Sequence, residues 1–256
     1  MDLGLAGKVA LVTGGGRGIG RAEALALAAE GASVAVNALH AETCRETVAL
    51  VAAAGGQAEA FPADVSDETA VQAMIAAVGE RFGALHLLIN NAGHGGADLN
   101  QRVDQMAVES WDAILGSHLR GTFLCCKYAL PPMQAAGFGR IVNTASIHAL
   151  AGGRAGIANY TAAKAGIIGF TRNLAKEVGR SGVTVNAVAP GYVATEFIAS
   201  YPEAFLRAVR EQNPLGRLCE PEELGALICF LCSRQAGFIN GETVAIDGGR
   251  REYYLP

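Results

Sequence analysis

The sequence predicts a single doubly wound α/β domain, a parallel sheet with helices packed on both faces. Three observations carry this expectation. Short apolar runs alternate with longer stretches of helical periodicity along all 256 residues. Several of the runs are continuous in Val, Ile and Leu, as in strands covered on both faces. No internal repeat, low-complexity linker or composition break divides residues 1–256, so one domain is expected across the chain.

The strands are expected at Val9–Val12, Ser33–Asn37, Ala58–Pro62, Leu85–Asn90, Arg140–Thr144, Val183–Val188 and Thr243–Ile246. The helices are expected at Ile19–Glu30, Ala41–Ala54, Glu68–Phe82, Glu109–Ala135, Asn159–Gly179 and Pro221–Cys232. Gly31, Gly55 and Gly83 follow three of these helices and act as stop signals. The segment Tyr192–Arg217 breaks the alternation. It mixes aromatics with charges after a strand end, and it reads as a helical lid over a pocket.

Composition narrows the function classes. The net charge is −4, and the longest basic run is the pair Arg250–Arg251, which speaks against a nucleic-acid binder. The longest stretch free of Asp, Glu, Lys and Arg is Phe82–Ala97, short of the roughly 20 apolar residues that span a bilayer. The N-terminus carries Asp2 and no basic-then-apolar run, so no signal peptide is expected. Six scattered cysteines read as reduced thiols, and the expected location is cytoplasmic. Cys229-x-x-Cys232 lies on an apolar helix with no second pair, which packing explains. His40, His86, His94 and His148 show no ligand spacing with acids or cysteines, so no metal site is expected.

The first strand runs into Thr13-Gly14-Gly15-Gly16-Arg17-Gly18-Ile19-Gly20, where a helix begins. Glycines permit a tight turn and close backbone approach to a pyrophosphate, and the helix N-terminus offers unpaired N–H groups. The spacing is Gly14-x-x-x-Gly18-x-Gly20, not Gly-x-Gly-x-x-Gly. Asp64-Val65 ends the third strand, where the acid can accept from an adenine amino group. Asn90-Asn91-Ala92-Gly93 ends the fourth, where small residues let a dinucleotide pass near the backbone.

Tyr160 and Lys164 lie four apart on a predicted helix and share a face. A free phenol, with a pKa of about 10, exchanges protons poorly near neutrality. A neighbouring ammonium is expected to lower that pKa and make Tyr160 a general acid or base. Ser146 follows the fifth strand and can donate to a substrate oxygen.

These motifs together resemble the classical short-chain dehydrogenase/reductase family, over nearly the whole chain. They are Thr13-Gly14-x-x-x-Gly18-Ile19-Gly20, Asp64-Val65, Asn90-Asn91-Ala92-Gly93, Ser146, Tyr160-x-x-x-Lys164 and Pro190-Gly191-Tyr192-Val193-x-Thr195. The resemblance implies a Rossmann-type seven-stranded sheet in the order 3-2-1-4-5-6-7. It implies hydride transfer between NAD(P) and a secondary alcohol or ketone, with Tyr160 as acid/base and Ser146 steadying the oxygen. Lys164 is then expected to bond the nicotinamide ribose, with Pro190, Gly191, Val193 and Thr195 backing the carboxamide. It further implies a homotetramer, with the segment from Asn240 to Gly249 as an interface strand. A 3-oxoacyl or (3R)-hydroxyacyl thioester is an alternative substrate, and a non-catalytic dinucleotide sensor is an alternative of another class. A sugar, a steroid and an aromatic ketone also remain open.

Two positions depart from the family's common pattern. His118, in Ser117-His118-Leu119-Arg120-Gly121, stands where an Asn usually holds a water beside the lysine. The same His occurs in a branch resembling the (3R)-hydroxyacyl-CoA dehydrogenase part of peroxisomal multifunctional enzymes. A proton-relay role behind Lys164 is expected of it. Ser146 precedes Tyr160 by one residue more than is common, so a bulge is expected around Gly152-Gly153. His94, His148, Tyr192, Phe197 and Tyr201 are candidates for the substrate pocket, and the tail Arg251–Pro256, with Tyr253 and Tyr254, for a subunit contact.

At the end of the second strand, NAD-selective relatives carry an Asp that bonds the ribose hydroxyls and repels a 2′-phosphate. Here that position is Ala38, followed by Leu39. Arg17 can pair with a 2′-phosphate, with His40 or Arg45 in support. The Gly31–Leu39 region otherwise resembles NAD-type relatives reading Val-Asn-Asp-Leu. NADP is therefore expected to be favoured over NAD, with dual use.

Overall fold

The computed structural model describes residues 2–250, and the tail from Arg251 to Pro256 lies outside the described residues. Its strands are β1 (Val9–Thr13), β2 (Ser33–Val36), β3 (Gln57–Ala60), β4 (Leu87–Asn90), β5 (Gly139–Thr144), β6 (Val183–Pro190) and β7 (Thr243–Ile246). Its helices are α1 (Gly18–Ala29), α2 (Ala41–Ala53), α3 (Glu68–Phe82), α4 (Val108–Leu115), α5 (Gly121–Ala135), α6 (Ile147–Leu150), α7 (Ala158–Val178), α8 (Glu196–Ala199), α9 (Glu203–Glu211) and α10 (Pro221–Cys232).

The seven strands form one parallel sheet in the order β3-β2-β1-β4-β5-β6-β7, as expected. Alternate side chains serve opposite faces. Ala10 and Val12 of β1 pack with Ala24 and Leu27 of α1 and Ile228 of α10. Val9 and Leu11 pack with Val71 and Met74 of α3 and Leu124 of α5. Cys229 and Cys232 join the first of these clusters, as the packing reading expected.

The order of strands reverses between β1 and β4, which opens a crevice beyond their C-terminal ends. Register keeps those ends level: Thr13 lies opposite Asn90, and Asn90 opposite Asn143. A side-chain hydrogen bond from Asn90 Nδ2 to Asn143 Oδ1, at 2.8 Å, locks β4 to β5 there. The groups that follow these strands are thereby delivered to one place.

The helix ends follow their local signals. Asp67 caps α3 by accepting from the Ala70 N–H, and Gly83 closes it with a φ of 77° that favours glycine. Pro221 begins α10 within a capping box made by Glu220 and Glu223.

One expected helix is three pieces. Between α4 and α5, Gly116–Arg120 forms a turn of π-helix, and His118 lies in it. Such wide turns redirect a side chain out of the regular helical array. The segment Tyr192–Arg217 holds α8 and α9, and a bridge between Val193 and Cys219 ties the chain on either side of them. No helix among the described residues is long and apolar enough to cross a membrane.

Candidate active site

The turn after β1 is shaped by its glycines. Gly14 and Gly18 have φ values of 66° and 54°, which a side chain resists. Gly20 faces back into the loop: a Cβ there would lie 2.3 Å from the Gly14 carbonyl oxygen. Thr13 and Asn91 fasten the loop to β4. Thr13 Oγ1 accepts from the Asn91 and Ala92 N–H groups, and Asn91 Nδ2 donates to the Thr13 carbonyl. The start of α1 has no side-chain cap, so its first N–H groups face the cleft as an anion site.

A cleft of about 1290 Å³ runs along the strand ends. A drug-sized ligand needs roughly 300–1,000 Å³, so a dinucleotide and a substrate fit together. The catalytic and cofactor residues named from the sequence line this cleft except Gly20, which lies behind the loop, and the supporting candidate Arg45, which pairs with Glu42 instead. Gly14, Gly16, Arg17, Gly18 and Ile19 form one end, with Ala38, Leu39, Asp64 and Val65. Asn91, Ala92 and Gly93 form the floor. Ser146, Tyr160 and Lys164 line the cleft together with Pro190, Gly191 and Val193, and Thr195 lies beside Gly18 of the phosphate loop. The Asp64 carboxylate already accepts from the N–H and hydroxyl of Ser66.

Tyr160 enters this site from the first turn of α7. That turn is pinned by Asn159, fully buried, which accepts from the Tyr160 N–H and donates to the carbonyls of Asp98 and Ser110. The sequence reading missed Asn159, although its place immediately before the tyrosine is a signal for such a pin. The Ser146 hydroxyl is near enough to the Tyr160 hydroxyl to act on its pKa. Lys164 is 3% exposed, and its ammonium donates to the Thr144 carbonyl at 2.6 Å. The loop before Tyr160 bulges as expected, with φ values of 82° at Gly152 and 75° at Gly153.

Two electrostatic expectations need correction. Burial raises the Tyr160 pKa above its ordinary value, while the Ser146 hydroxyl pulls the other way. The lowering expected from Lys164 does not prevail. The ammonium is 5.7 Å from the ring centroid and is engaged by Thr144, and burial pushes its own pKa down to about 7. The second correction concerns His118. Burial, then the Lys164 charge, lowers its pKa to about 3, so the ring is neutral. Nε2–H donates to the His94 carbonyl at 2.8 Å, and the ring meets the Tyr160 ring edge-on at 5.3 Å. A relay through a protonated His118 is therefore disfavoured. The ring covers the Gly93 backbone so closely that a Cβ on Gly93 would lie 2.0 Å from it.

Glu23, on the sheet-facing side of α1, was also missed. It is fully buried, and neither carboxylate oxygen has a hydrogen-bond partner. Burial raises its pKa from 4.5 to about 8, with the Lys164 charge opposing. The folded state then holds a proton that the unfolded chain releases between pH 4.5 and about 8. Its contribution to stability is lost as pH rises through that window. The Tm of the wild type should therefore fall relative to Glu23→Gln between those limits. A Tm difference independent of pH would show that Glu23 does not titrate there.

No cluster of three or more His, Cys, Asp or Glu side chains suited to a metal occurs among the described residues. His94 instead bridges Ser117 Oγ and Asp98, at 2.9 and 3.0 Å.

Comparison with known proteins agrees with this geometry. A family model described as Enoyl-(Acyl carrier protein) reductase matches residues 14–251. A 3-oxoacyl-[acyl-carrier-protein] reductase of Synechocystis is 42% identical over 96% of this chain and 97% of its own. A cyclohexanol dehydrogenase of an Acinetobacter species is 39% identical over 94% of each. The crystal structure of a putative gluconate dehydrogenase from Agrobacterium tumefaciens superposes with a TM-score of 0.93 at 32% identity, covering 99% of this chain and 100% of that one. The chain belongs to the classical short-chain dehydrogenase/reductase family, whose members are oxidoreductases using nicotinamide nucleotides.

Proposed function

We propose that the protein interconverts a ketone and a secondary alcohol, with Tyr160 giving or taking the proton. The observation that carries this reading is the nearness of the Ser146 and Tyr160 hydroxyls beside buried Lys164 in the cleft. A bound nicotinamide supplies or accepts the hydride. Ser146 holds the substrate oxygen against Tyr160, and the charge developing on that oxygen is stabilised by both hydroxyls. A phenol raised by burial is fully protonated at neutral pH, so it is ready to donate to a ketone. Lys164 uses one N–H donor on Thr144 and keeps the others for the nicotinamide ribose hydroxyls.

The preferred cofactor is NADP, with NAD also used. Ala38 places no carboxylate near the ribose, and exposed Arg17 makes no salt bridge among the described residues. Tyr192–Arg217 forms the substrate lid of the single domain. A homotetramer fits β7 being an edge strand and Phe238 on the turn before it being wholly exposed. The six free cysteines favour a cytoplasmic location. A second reading, a 3-oxoacyl or (3R)-hydroxyacyl thioester substrate, is favoured by the size of the cleft and by the Synechocystis relative. A non-catalytic sensor is disfavoured, because sensing needs no Ser146, Tyr160 or Lys164.

The test is the loss of reduced-nicotinamide absorbance with a panel of ketones and 3-oxoacyl thioesters. At least one should be reduced. Tight cofactor binding without consumption across the panel would favour the sensor.

His118 offers a separate check. Because the ring packs between Gly93 and Tyr160, His118→Ala should lower kcat more than cofactor affinity. His118→Asn, which keeps a hydrogen-bonding side chain, should retain more activity than His118→Ala. Equal activity of the three forms across pH would mark His118 as filler only.

A further inference from the structure

Beyond Tyr160 the cleft has two chemically different walls. One is aromatic: Tyr192 packs on Phe205 at 5.6 Å, and Phe205 stacks on Tyr201 at 4.9 Å. The other carries Arg154, on the glycine-bent loop between α6 and α7. His148 joins the walls, its ring 6.1 Å from both Tyr160 and Tyr192.

Arg154 is half-buried and held in place. Its guanidinium donates to Asn100 Oδ1 and the Ala155 carbonyl, and it is near enough to Tyr192 to pull that phenol's pKa down. These contacts leave part of its five-donor fork unused. No carboxylate pairs with it among the described residues: Asp98 is taken by His94, and Glu196 makes no salt bridge. Its charge is felt at both His148 and Tyr192. His148 adds no charge of its own, because burial, then Arg154 and Arg250, lower its pKa to about 4 and hold it neutral. Arg250, over the Tyr192 ring at 5.1 Å, adds a second positive charge to this end.

We propose that Arg154 is a carboxylate-binding residue of the substrate pocket, and that the substrate is an aryl ketone or benzylic alcohol bearing an acid group. This rests on the ketone–alcohol reading above. The carbonyl meets Ser146 and Tyr160, the ring lies against Tyr192 and Phe205, and the carboxylate takes the open side of the guanidinium fork. Arg154 acts on His148 and Tyr192 and not on Tyr160, so the acid belongs on the far side of the ring from the carbonyl. An unpaired guanidinium in a partly dry wall selects an anion over a neutral isostere by far more than it would in water.

The test uses para-acetylbenzoate and its neutral isostere para-acetylbenzamide, titrated calorimetrically into enzyme saturated with oxidised cofactor. The wild type should bind the acid at least about tenfold more tightly than the amide. Arg154→Gln should abolish that preference, and Arg154→Lys, which keeps the charge but not the fork, should retain part of it. Unchanged cofactor affinity verifies that both variants are folded. Equal binding of acid and amide by the wild type, a preference that survives in Arg154→Gln, or no binding of either compound would overturn the proposal. Turnover is read separately: reduction of the amide without an acid preference defeats only the Arg154 assignment. An acid preference lost in Arg154→Gln, with no turnover of any ketone, upholds the carboxylate site and defeats the catalytic reading.

Discussion

Tyr160→Phe should lose about 10²–10⁴-fold in turnover, the usual contribution of a positioned general acid. The phenyl ring keeps the edge-on contacts with His118 and His148 at 5.3 and 6.1 Å, so the pocket stays filled. Only the hydroxyl near Ser146 is removed. Cofactor affinity should therefore change little, since Lys164 and the glycine loop remain. Single-turnover kinetics with a ketone from the panel, alongside cofactor titration, separate the two effects. Near-normal kcat in the variant would assign proton transfer to another group.

Ala38→Asp should move the kcat/KM ratio towards NAD by at least about tenfold, near 1.4 kcal/mol. Ala38 packs against the phosphate loop: a Cβ on Gly16 would lie 3.1 Å from the Ala38 Cβ. A carboxylate at this position can accept from ribose hydroxyls and repel a 2′-phosphate. Arg21 is not available to offset it, because it is bound to Glu46, Thr47 and the Gly16 carbonyl. Arg17, exposed in the phosphate loop, is the cation we propose for a 2′-phosphate. Steady-state kinetics with both cofactors decide this. A wild type that already prefers NAD by more than tenfold contradicts the NADP reading.

The elements that place these residues were largely legible in the sequence, because both signals are local. Apolar runs gave the strands, and capping residues such as Asp67, Gly83 and Pro221 gave helix ends. The glycine loop and the Tyr160–Lys164 spacing were legible for the same reason. The π turn at Gly116–Arg120 was not, since the apolar pattern of Glu109–Ala135 continues through it. Its position matters because it carries His118 to Tyr160. Glu23 falls on the face of α1 shared by Gly20, Ala24 and Leu27, so the periodicity pointed inward. Its charge argued the opposite, and only the three-dimensional packing decides between them. The direction of the Tyr160 shift was illegible because it balances burial against charge, and burial depends on residues far apart in the chain. Arg154 escaped notice because its loop is bent by glycines, and loop direction is not encoded by periodicity.

Hydride transfer to a carbonyl carbon at this site is tested most directly with reduced nicotinamide deuterated at the transferring carbon. The ketone selected by the panel should yield an alcohol with deuterium on its carbinol carbon, together with one equivalent of oxidised cofactor. An alcohol free of deuterium, or a cofactor that binds the cleft and stays reduced, would contradict the assignment of Ser146, Tyr160 and Lys164 as a ketone-reducing centre.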